Sequence, residues 1–584
     1  MSFRYVAILE HRATSHSSDT GAAVTLGLSE IFRDGPLRLL APCGTPTVDM
    51  PCGGVVVGQL FLRDGTAVVH PDQIRTNVLP EKVRAFVLER CWGEYILVQR
   101  ERSGTVMVTR DPSGGVPCVY SNGTATRFVT SDITLATSLG LYTRQIDWES
   151  VAHYLTYPYL KTARTALADI RELLPGCTLR VQGSEASDEV AWSPWTFINA
   201  TTRIFTADEA ALHVRDAVST VVECLAKIDE AVLVELSGGL DSSIVAACLR
   251  ESGTRVGCIT FVPAVPGADE RHYAAPVANL IGAALHVVPL RLEDARIDAP
   301  PPPWATNPGV APLQYTADQV AMNFAERESF KSFYSGGGGD TVFCYLHNAS
   351  PAADAFRALG LRACLTAVRD LSDLYQCTVW KAVRLTLNKL AGPSRPPCRP
   401  DHTLIPAEAR VDLPDPHPWF DAPDHALPGD RDRIFDLAGT QLLKEGVFRA
   451  MEYRLRLPLL SQPVVEACLK VPSWMWIKGG CNRSIARTAF AGVLPADIIN
   501  RRSKGDFTQY CGAVYQRNKS EIRDFLLGGE LRARGLIDHE ALEAFFARAP
   551  MPRDESFMRT FTLCTVESWV RHQGARPPGP SAPA

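Results

Sequence analysis

Seven residues near the middle of the chain carry the strongest chemical signal in the sequence. The stretch SGGLDSS (237–243) directly follows the apolar run AVLVEL (231–236), and a helical pattern comes after it. A glycine turn between a buried strand and a helix leaves backbone N–H groups free, and the helix N-terminus adds partial positive charge. The hydroxyl groups of Ser237, Ser242 and Ser243 add further donors. The stretch therefore predicts a phosphate-binding loop.

Asp241 distinguishes this loop from the common nucleotide-binding loop. The spacing GxxxxGK[ST] is absent, and no lysine follows the glycines. A carboxylate inside an anion site repels phosphate unless a divalent cation bridges the two. We therefore expect Asp241 to hold a metal ion on the phosphates of a nucleotide. A turn that merely needs glycine does not account for the serines and the aspartate.

Length and composition set limits on the function. The chain has 584 residues, so two or more domains are expected. Hydrophobic residues make up 46% and charged residues 21%, and the formal net charge is −4, so neither nucleic acid nor a membrane is expected as a partner. Sixteen cysteines without a CxxC pair, together with the lack of a signal peptide and of a long apolar run, favour a cytoplasmic protein.

The patterning of the chain changes at about residue 205. The first 140 residues contain short β-like runs separated by glycine turns, which predict antiparallel strands and hairpins. The stretch 147–160 predicts a helix. After residue 205 a helix, the strand AVLVEL, the glycine turn, a second helix and the strand GCITFVP form a βαβ unit, so a parallel sheet flanked by helices is expected.

Two proline-rich stretches interrupt the helical pattern that follows. They are DAPPPPW (298–304) and the segment 391–430, which is either an ordered lid or a flexible excursion. The end of the chain, 574–584, is expected to be a disordered tail.

The glycine loop and four later motifs resemble one family of ATP-using enzymes. SGGLDSS is similar to the pyrophosphate loop of the N-type ATP pyrophosphatases. The later motifs resemble the asparagine synthetase branch of that group and occur in its order. They are DERHYA (269–274), YSGGGGDTVF (334–343), RLRLPLLSQPVVEACLKVP (454–472) and RRSKGDF (501–507). The resemblance implies an adenine nucleotide alpha hydrolase-like parallel-sheet synthetase domain over residues 205–573.

The N-terminal part resembles the glutamine amidotransferase domain that precedes the synthetase domain in that branch. The strand WGEYILV (92–98) and the hairpin RDPSGGVPCVY (110–120) carry the resemblance. It implies an Ntn-hydrolase-like, class II amidotransferase-like sandwich over residues 1–195, and hence a fold class of α/β plus α+β. The family needs a cysteine after the initiator methionine as its thiol nucleophile, whereas Ser2 and Phe3 stand here. We therefore expect a catalytically silent domain and a nitrogen donor other than glutamine.

The resemblance also implies which residues bind ATP and Mg²⁺. Asp241 and Asp340 would hold Mg²⁺ on the phosphates, and Lys504 would stabilise the charge that develops during adenylation and acyl transfer. The other nucleotide-binding positions lie at strand ends and turns. They are Leu236, Ser237, Gly238, Gly239, Ser242, Ser243, Thr260, Phe261, Ser335 and Gly336.

For five carboxyl and hydroxyl side chains around these motifs, the sequence leaves more than one role possible. Glu235 lies on a core strand, where an unpaired carboxylate is costly, so it points either into the nucleotide cleft or toward an arginine. Asp269 and Glu270 either face the phosphates or cap the following helix. The base that deprotonates the attacking amine is not identified, with Tyr345 and Glu452 as candidates.

Within the family, the sequence is most similar to the lasso-peptide cyclases of bacteria. These enzymes and the β-lactam synthetases lack the cysteine and use an amine within the substrate. Asparagine synthetases carry Glu, and β-lactam synthetases Tyr, where this chain has Gly337. The string SGGGGD, with PLLSQP (458–463) and SPW (193–195), favours the lasso cyclases. A β-lactam synthetase and an asparagine synthetase-like enzyme remain the alternatives.

A lasso cyclase would adenylate an Asp or Glu side chain of a precursor peptide and join it to the N-terminal amine. A leader peptidase and a leader-binding protein are the implied partners. The enzyme must hold a prefolded peptide in a large cleft, which the segment 391–430 is a candidate to line. A binding scaffold without chemistry is disfavoured, because Asp241, Asp340 and Lys504 are all present.

Overall fold

The structure is a computed structural model, and most of the chain is described in it. Lys504, Ser2 and the tail after residue 574 lie outside the described residues. The described ranges are 3–9, 17–51, 53–74, 79–123, 127–183, 185–309, 313–345, 347–392, 396–502, 507–548 and 554–574.

Two six-stranded antiparallel sheets form the N-terminal half. Their strands are β1 Val6–Leu9, β2 Leu28–Asp34, β3 Leu37–Pro42, β4 Thr47–Asp49, β5 Val55–Leu62, β6 Cys91–Arg100, β7 Val106–Arg110, β8 Val119–Ser121, β9 Arg127–Thr130, β10 Ile170–Glu172, β11 Cys177–Gln182 and β12 Glu185–Val190. The orders are β10-β8-β9-β1-β3-β2 and β12-β11-β7-β6-β5-β4. Ala7 and Leu39 of the first sheet share one core with Val57 and Val98 of the second. The predicted sandwich is confirmed, and its strands continue well beyond residue 140.

Four helices accompany this sandwich, and one of them is shorter than the sequence pattern predicts. They are α1 Ser17–Thr25, α2 Pro80–Arg90, α3 Ile133–Ser138 and α4 Trp148–Thr156. The side chain of Asp147 accepts hydrogen bonds from the first turn of α4, as its position before the helix predicts. The helix ends at Thr156 rather than at residue 160 because Pro158 disfavours helical geometry at Tyr157.

A five-stranded parallel sheet forms the centre of the second half. Its strands are β13 Ala231–Glu235, β14 Arg255–Pro263, β15 Leu285–Leu290, β16 Ser332–Ser335 and β17 Arg454–Arg456, in the order β15-β14-β13-β16-β17. The chain runs from β13 to β14 and β15 on one side of β13, and then continues with β16 and β17 on the other side. This reversal between β13 and β16 is the topological switch point, where open α/β sheets bind ligands at the carboxyl ends of their strands.

Helices lie on both faces of the parallel sheet, which explains why its central strand β13 is almost entirely apolar. The helices are α5 Ala207–Asp229, α6 Leu240–Cys248, α7 Arg271–Leu280, α8 Leu313–Arg327, α9 Gly339–Val342, α10 Ser350–Leu359, α11 Leu361–Leu374, α12 Val379–Ala391, α13 Pro428–Thr440, α14 Gln462–Leu469, α15 Ser484–Ala489, α16 Ala496–Ile499, α17 Thr508–Leu527, α18 Glu530–Ala533, α19 His539–Ala547 and α20 Met558–Gly574. A small hairpin, β18 Ile477–Lys478 and β19 Cys481–Asn482, precedes α15. None of the helices in the described part of the chain is long and apolar enough to cross a membrane.

A buried arginine joins the two halves. Arg456, at the end of β17, is fully buried and pairs with Glu94 of the sandwich and with Asp229 at 2.7 Å. The hydroxyl group of Tyr334 donates to the same Asp229 at 3.1 Å. Because each carboxylate has a cationic partner, the burial of these charges is compensated.

The proline-rich segment packs between the halves and does not line the cleft described below. Its described part, 396–430, contacts the sandwich through Asp415, which pairs with Arg164 at 2.6 Å. The hydroxyl group of Tyr157 donates to the backbone carbonyl of Asp412 at 3.0 Å. Trp419 is buried. This part of the segment is therefore an ordered connection between the halves, and of the two expectations the structure favours order.

Candidate active site

Two glycine loops meet at the switch point of the parallel sheet. The loop 237–243 follows β13, and the loop 336–340 follows β16. The two strands are paired in parallel with Glu235 opposite Ser335, so the loops leave the sheet side by side. Together they line a cleft of about 490 Å³. The carboxyl edge of the sheet thus has the position and the size of a ligand site.

The glycines of the second loop allow the two loops to touch. A Cβ atom on Gly336 would lie 2.4 Å from the backbone nitrogen of Ser242, and one on Gly339 would lie 2.6 Å from the Cβ atom of Asp241. Gly338 has a φ of 83°, which side chains other than glycine rarely adopt. Any other residue at these positions would push the loops apart.

The first loop presents the N-terminus of α6 to the cleft. Gly238 has a φ of 70° and makes the turn, and no described side chain caps the helix that begins after Gly239. The hydroxyl oxygens of Ser237 and Ser242 lie 3.2 Å apart beside this helix end. Backbone N–H groups at a helix start, hydroxyl groups and the positive end of a helix dipole are the groups that suit an anion.

Arg483 lies between the two predicted metal ligands. Its Nη1 donates to Asp241 Oδ2 at 3.0 Å and to Asp340 Oδ1 at 2.7 Å. Arg483 precedes α15, is almost fully buried and has its guanidinium carbon 5.1 Å from the ring centroid of Tyr345. No sequence motif marks Arg483, so it was not among the predicted site residues.

The two carboxylates fit a divalent cation held jointly with a nucleotide. Asp241 and Asp340 converge on one cationic nitrogen, so both reach a common point. Among the described residues no group of three or more His, Cys, Asp and Glu side chains could hold a metal ion. Mg²⁺ is commonly bound by one or two carboxylates and completed by phosphate oxygens and water. The donor set therefore fits magnesium bound with phosphates.

Comparison with known proteins agrees with this geometry. Residues 213–571, more than half of the chain, match the asparagine synthase family. The chain belongs to the asparagine synthase family. Residues 79–192 match the glutamine amidotransferase domain.

The individual relatives are distant. An asparagine synthetase (glutamine-hydrolysing) of Bacillus subtilis is 20% identical over 443 residues, 70% of this chain and 66% of that enzyme, so slightly less than two thirds of its length is matched. A tRNA-5-methyluridine(54) 2-sulfurtransferase of Pyrococcus horikoshii is 37% identical over 65 residues, which are 11% of this chain and 21% of that enzyme. A glutamine phosphoribosylpyrophosphate amidotransferase structure from B. subtilis matches 49% of this chain and 65% of its own, with 10% identity and a TM-score of 0.22.

Most positions that the resemblance implied for the nucleotide line the cleft of this asparagine synthase family member. The exceptions are Gly238 and Ser243. The backbone N–H of Ser243 donates to the carbonyl of Gly239 at 3.1 Å, and its side chain is fully buried behind α6 rather than facing the cleft. The positions that line it are Leu236, Ser237, Gly239, Asp241, Ser242, Thr260, Phe261, Ser335, Gly336 and Asp340. Lys504 lies outside the described residues.

The two acidic residues before α7 have different roles. Glu270 lines the cleft and pairs with Arg501, whose Nη1 also donates to the backbone carbonyl of Gly238 at 2.9 Å. Asp269 is exposed and accepts hydrogen bonds from the side chain and the backbone N–H of Arg271, which lower the pKa of Asp269 to about 2. Glu270 therefore faces the cleft, whereas Asp269 accepts the N–H of Arg271, the first residue of α7.

Glu235 combines the two orientations that the sequence left open. Its side chain lines the cleft, and its carboxylate pairs with Arg449 at 2.5 Å. The two candidates for the base, Tyr345 and Glu452, are placed differently. Tyr345 lies under the guanidinium of Arg483, and Glu452 is exposed and does not line the cleft.

A second cavity, of about 160 Å³, lies between the two halves of the family member. Phe3 and Trp419 contribute to its wall, together with a buried ion cluster. In this cluster Lys161 pairs with Glu172 at 2.5 Å and with Glu445. Burial lowers the pKa of Lys161, Glu172 opposes that effect only in part, and the nearby Arg110 adds to it. The wall of this cavity is therefore charged as well as apolar.

Proposed function

We propose that this chain is an ATP-dependent amide-forming ligase that closes a macrolactam in a precursor peptide, as lasso-peptide cyclases do. It adenylates an Asp or Glu side chain of the peptide and joins it to the N-terminal amine, with release of AMP and pyrophosphate. The observation that carries the proposal is the convergence of Asp241 and Asp340 on one cation beside the N-terminus of α6. This arrangement suits the departure of pyrophosphate from ATP.

The chain's own groups assist adenylation by compensating negative charge. A carboxylate is a poor electrophile, and transfer to the α-phosphate builds charge on the bridging oxygen and on pyrophosphate. The N–H groups at the start of α6 and the hydroxyls of Ser237 and Ser242 donate to phosphate oxygens. Mg²⁺, held by Asp241 and Asp340, would neutralise phosphate charge when bound. Lys504 supplies a further mobile cation by its resemblance to the family's late lysine.

Arg483 links nucleotide binding to the metal ligands. In the structure its guanidinium neutralises both carboxylates. Binding of Mg²⁺ with ATP requires those carboxylates to face the metal ion, so Arg483 exchanges them for phosphate oxygens. Arginine suits this exchange because its planar fork binds carboxylate and phosphate with similar geometry.

The nitrogen comes from an amine of the substrate. Ammonia released in the N-terminal sandwich would have to cross the cavity between the halves, whose wall carries the ion cluster of Lys161, Glu172 and Glu445. At the cleft, Gly337 leaves the space free that a glutamate or tyrosine side chain takes in the related enzymes.

A small-molecule amide synthetase of the asparagine or β-lactam type is the second candidate. The likeness to the B. subtilis asparagine synthetase over 443 residues favours it. In either case the chain is a carbon–nitrogen ligase that uses ATP. For the cyclase, the partners we propose are the precursor peptide, a leader peptidase and a leader-binding protein, all in the cytoplasm, with no nucleic acid or membrane involved.

Mass spectrometry with defined substrates tests the proposal. The purified protein and Mg-ATP are given a leader-free linear peptide encoded beside this gene and, in a second tube, aspartate with ammonia. We expect the peptide to lose one water while AMP and pyrophosphate appear, and the variants Asp241→Asn and Lys504→Met to form neither. Asparagine in the second tube with an unchanged peptide would establish the small-molecule synthetase instead.

A further inference from the structure

Glu235 is a charged residue at the end of a strand that is otherwise apolar. Val232, Leu233 and Val234 of the same strand are fully buried. Burying a carboxylate in such surroundings is unfavourable unless it is paired. A structural residue here would be expected to be aliphatic, as in the rest of β13, so the presence of a carboxylate at the cleft calls for a chemical explanation.

Two carboxylates share one arginine at this position. Arg449 Nη1 lies 2.5 Å from Glu235 and 2.9 Å from Asp318. Asp318 is buried and also accepts the backbone N–H groups of Phe448 and Arg449 at 3.0 and 3.4 Å. Arg449 and Asp318 therefore form a complete pair by themselves. Glu235 adds a second negative charge to one positive charge, and its side chain is the one that lines the cleft.

The alternation of side chains along β13 separates this cluster from the phosphate loop. Val234 and Leu236 belong to the core that includes Leu240 of α6, whereas Leu233 packs in the core that includes Ala321 of α8. Glu235 follows Leu233 by two residues and so lies on the α8 side of the sheet edge. The phosphates are proposed to lie on the α6 side. An acyl-adenylate in the cleft would therefore have the phosphates on one side and Glu235 on the other.

Glu235 also faces the same cleft as the second loop. Glu235 is paired with Ser335, two residues before Gly337. A Cβ atom on Gly337 would lie no closer than 3.2 Å to its nearest neighbour, the side chain of Leu457. Glu235 and Gly337 line the same cleft, so the carboxylate with excess negative charge faces the space into which the second loop opens. A protonated amine is the ligand such a place favours.

We propose that Glu235 receives the attacking amine of the substrate. This inference rests on the proposed function, in which a primary amine is the nucleophile. The amine enters as an ammonium ion, releases one proton to solvent and attacks the acyl carbon of the adenylate. A C–N bond forms, the bond from the acyl carbon to the phosphate oxygen breaks, and AMP leaves with that electron pair. Glu235 accepts the second proton from nitrogen and later releases it to solvent.

Arg449 and Asp318 act as positioning residues for this carboxylate. The bond from Arg449 fixes one oxygen of Glu235, and Asp318 fixes Arg449. The charged groups that face Glu235 in the described residues are thus one cation and one anion. Because Arg449 stays paired with Asp318 when Glu235 is neutral, the variant Glu235→Gln keeps the volume of the side chain and a compensated core.

The test separates adenylation from attack by the amine. Glu235→Gln is compared with wild type for ATP–pyrophosphate exchange that depends on the substrate and for the ratio of AMP to amide product. We expect exchange within about twofold of wild type, an amide rate lower by about 100-fold, and AMP released without amide as water intercepts the adenylate. Glu326→Gln, an exposed glutamate on α8, is the matched control and keeps the wild-type ratio.

Two results would overturn the inference. One is a Glu235→Gln enzyme that still forms one amide for each AMP at the wild-type rate, which would make the ion pair purely structural. The other is a Glu235→Gln enzyme that has lost both pyrophosphate exchange and amide formation, which would mean that Glu235 is needed for nucleotide binding or adenylation. If aspartate and not the peptide supports ATP–pyrophosphate exchange by the wild-type enzyme, the proposed cyclase function is wrong. The ratio of AMP to amide product, measured with aspartate and ammonia, then tests the role of Glu235.

Discussion

The guanidinium of Arg483 bridges Asp241 and Asp340, at 3.0 and 2.7 Å from a single nitrogen. The two carboxylates come from loops after different strands, and the arginine precedes a helix far along the chain. The bridge neutralises a pair of charges that would otherwise repel one another across the cleft. It also explains how the protein is stable before a metal ion arrives.

Removal of this bridge should make stability depend on Mg²⁺. Arg483→Met removes the cation that the two carboxylates share, so we expect a loss of roughly 1–3 kcal/mol in the free energy of unfolding without metal. Mg²⁺ alone should then raise the melting temperature of the variant more than that of wild type. Differential scanning fluorimetry over a range of MgCl₂ concentrations in calcium-free buffer measures this. KCl at the same ionic strength is the control. An equal response of both proteins would contradict the bridge.

Each metal-binding carboxylate should be required for adenylation and not for folding. Asp241→Asn and Asp340→Asn each remove one charge while Arg483 keeps a partner, so the melting temperature should change little. Without one ligand, transition-state charge is less well compensated, and pyrophosphate exchange should fall by roughly 100-fold or more. Asp269→Asn, at an exposed aspartate away from the cleft, should exchange at the wild-type rate. Exchange retained by Asp340→Asn would remove this residue from the metal site.

Two neighbouring glycines should respond differently to one methyl group. Gly336→Ala places a Cβ atom 2.4 Å from the backbone of Ser242, so the loops must separate, at a cost of about 1–3 kcal/mol. The Cβ atom of Gly337→Ala meets side chains and no backbone, with the flexible Leu457 nearest at 3.2 Å. We expect weaker ATP binding and a lower melting temperature for the first variant and near wild-type values for the second. Isothermal titration calorimetry with ATP and Mg²⁺ compares them, and equal effects would argue against contact between the loops.

Acid should destabilise the protein through His417. This side chain is buried, and its Nδ1 accepts the backbone N–H of Trp419 at 3.0 Å, so the ring stays neutral. Burial lowers the pKa of His417 to about 4, below the ordinary value of 6.5. As pH falls from 6.5 toward 4, His417 is protonated in the unfolded chain but stays neutral in the folded chain. The free energy of unfolding therefore falls by up to about 2 kcal/mol at pH 5.

A variant without a titrating ring isolates this contribution. His417→Asn keeps a side-chain acceptor for the N–H of Trp419 and should show a shallower decline of the melting temperature between pH 7 and pH 5. Exposed His539, replaced in the same way, should leave the slope as in wild type. A slope unchanged in His417→Asn would assign acid sensitivity to other groups.

Local sequence was sufficient for the elements and loops that form the cleft. The apolar run 231–236, the glycine turn and the helical pattern after it all depend on neighbours within a few residues, and the strand, turn and α6 form as expected. The same holds for the loop 336–340. Because both loops follow parallel strands, the convergence of Asp241 and Asp340 at one sheet edge also follows from the pattern.

Tertiary packing decided the groups that complete the cleft. Arg483 reaches Asp241 across 242 positions in the sequence, and it does so because α15 packs against α5. Ser243 faces inward because the helical turn after Gly239 sets its direction, which a motif written as letters does not record. Glu235 meets Arg449 only where the turn 448–451 crosses the sheet edge. Such pairings depend on distances between elements, and the sequence by itself determines the elements and not those distances.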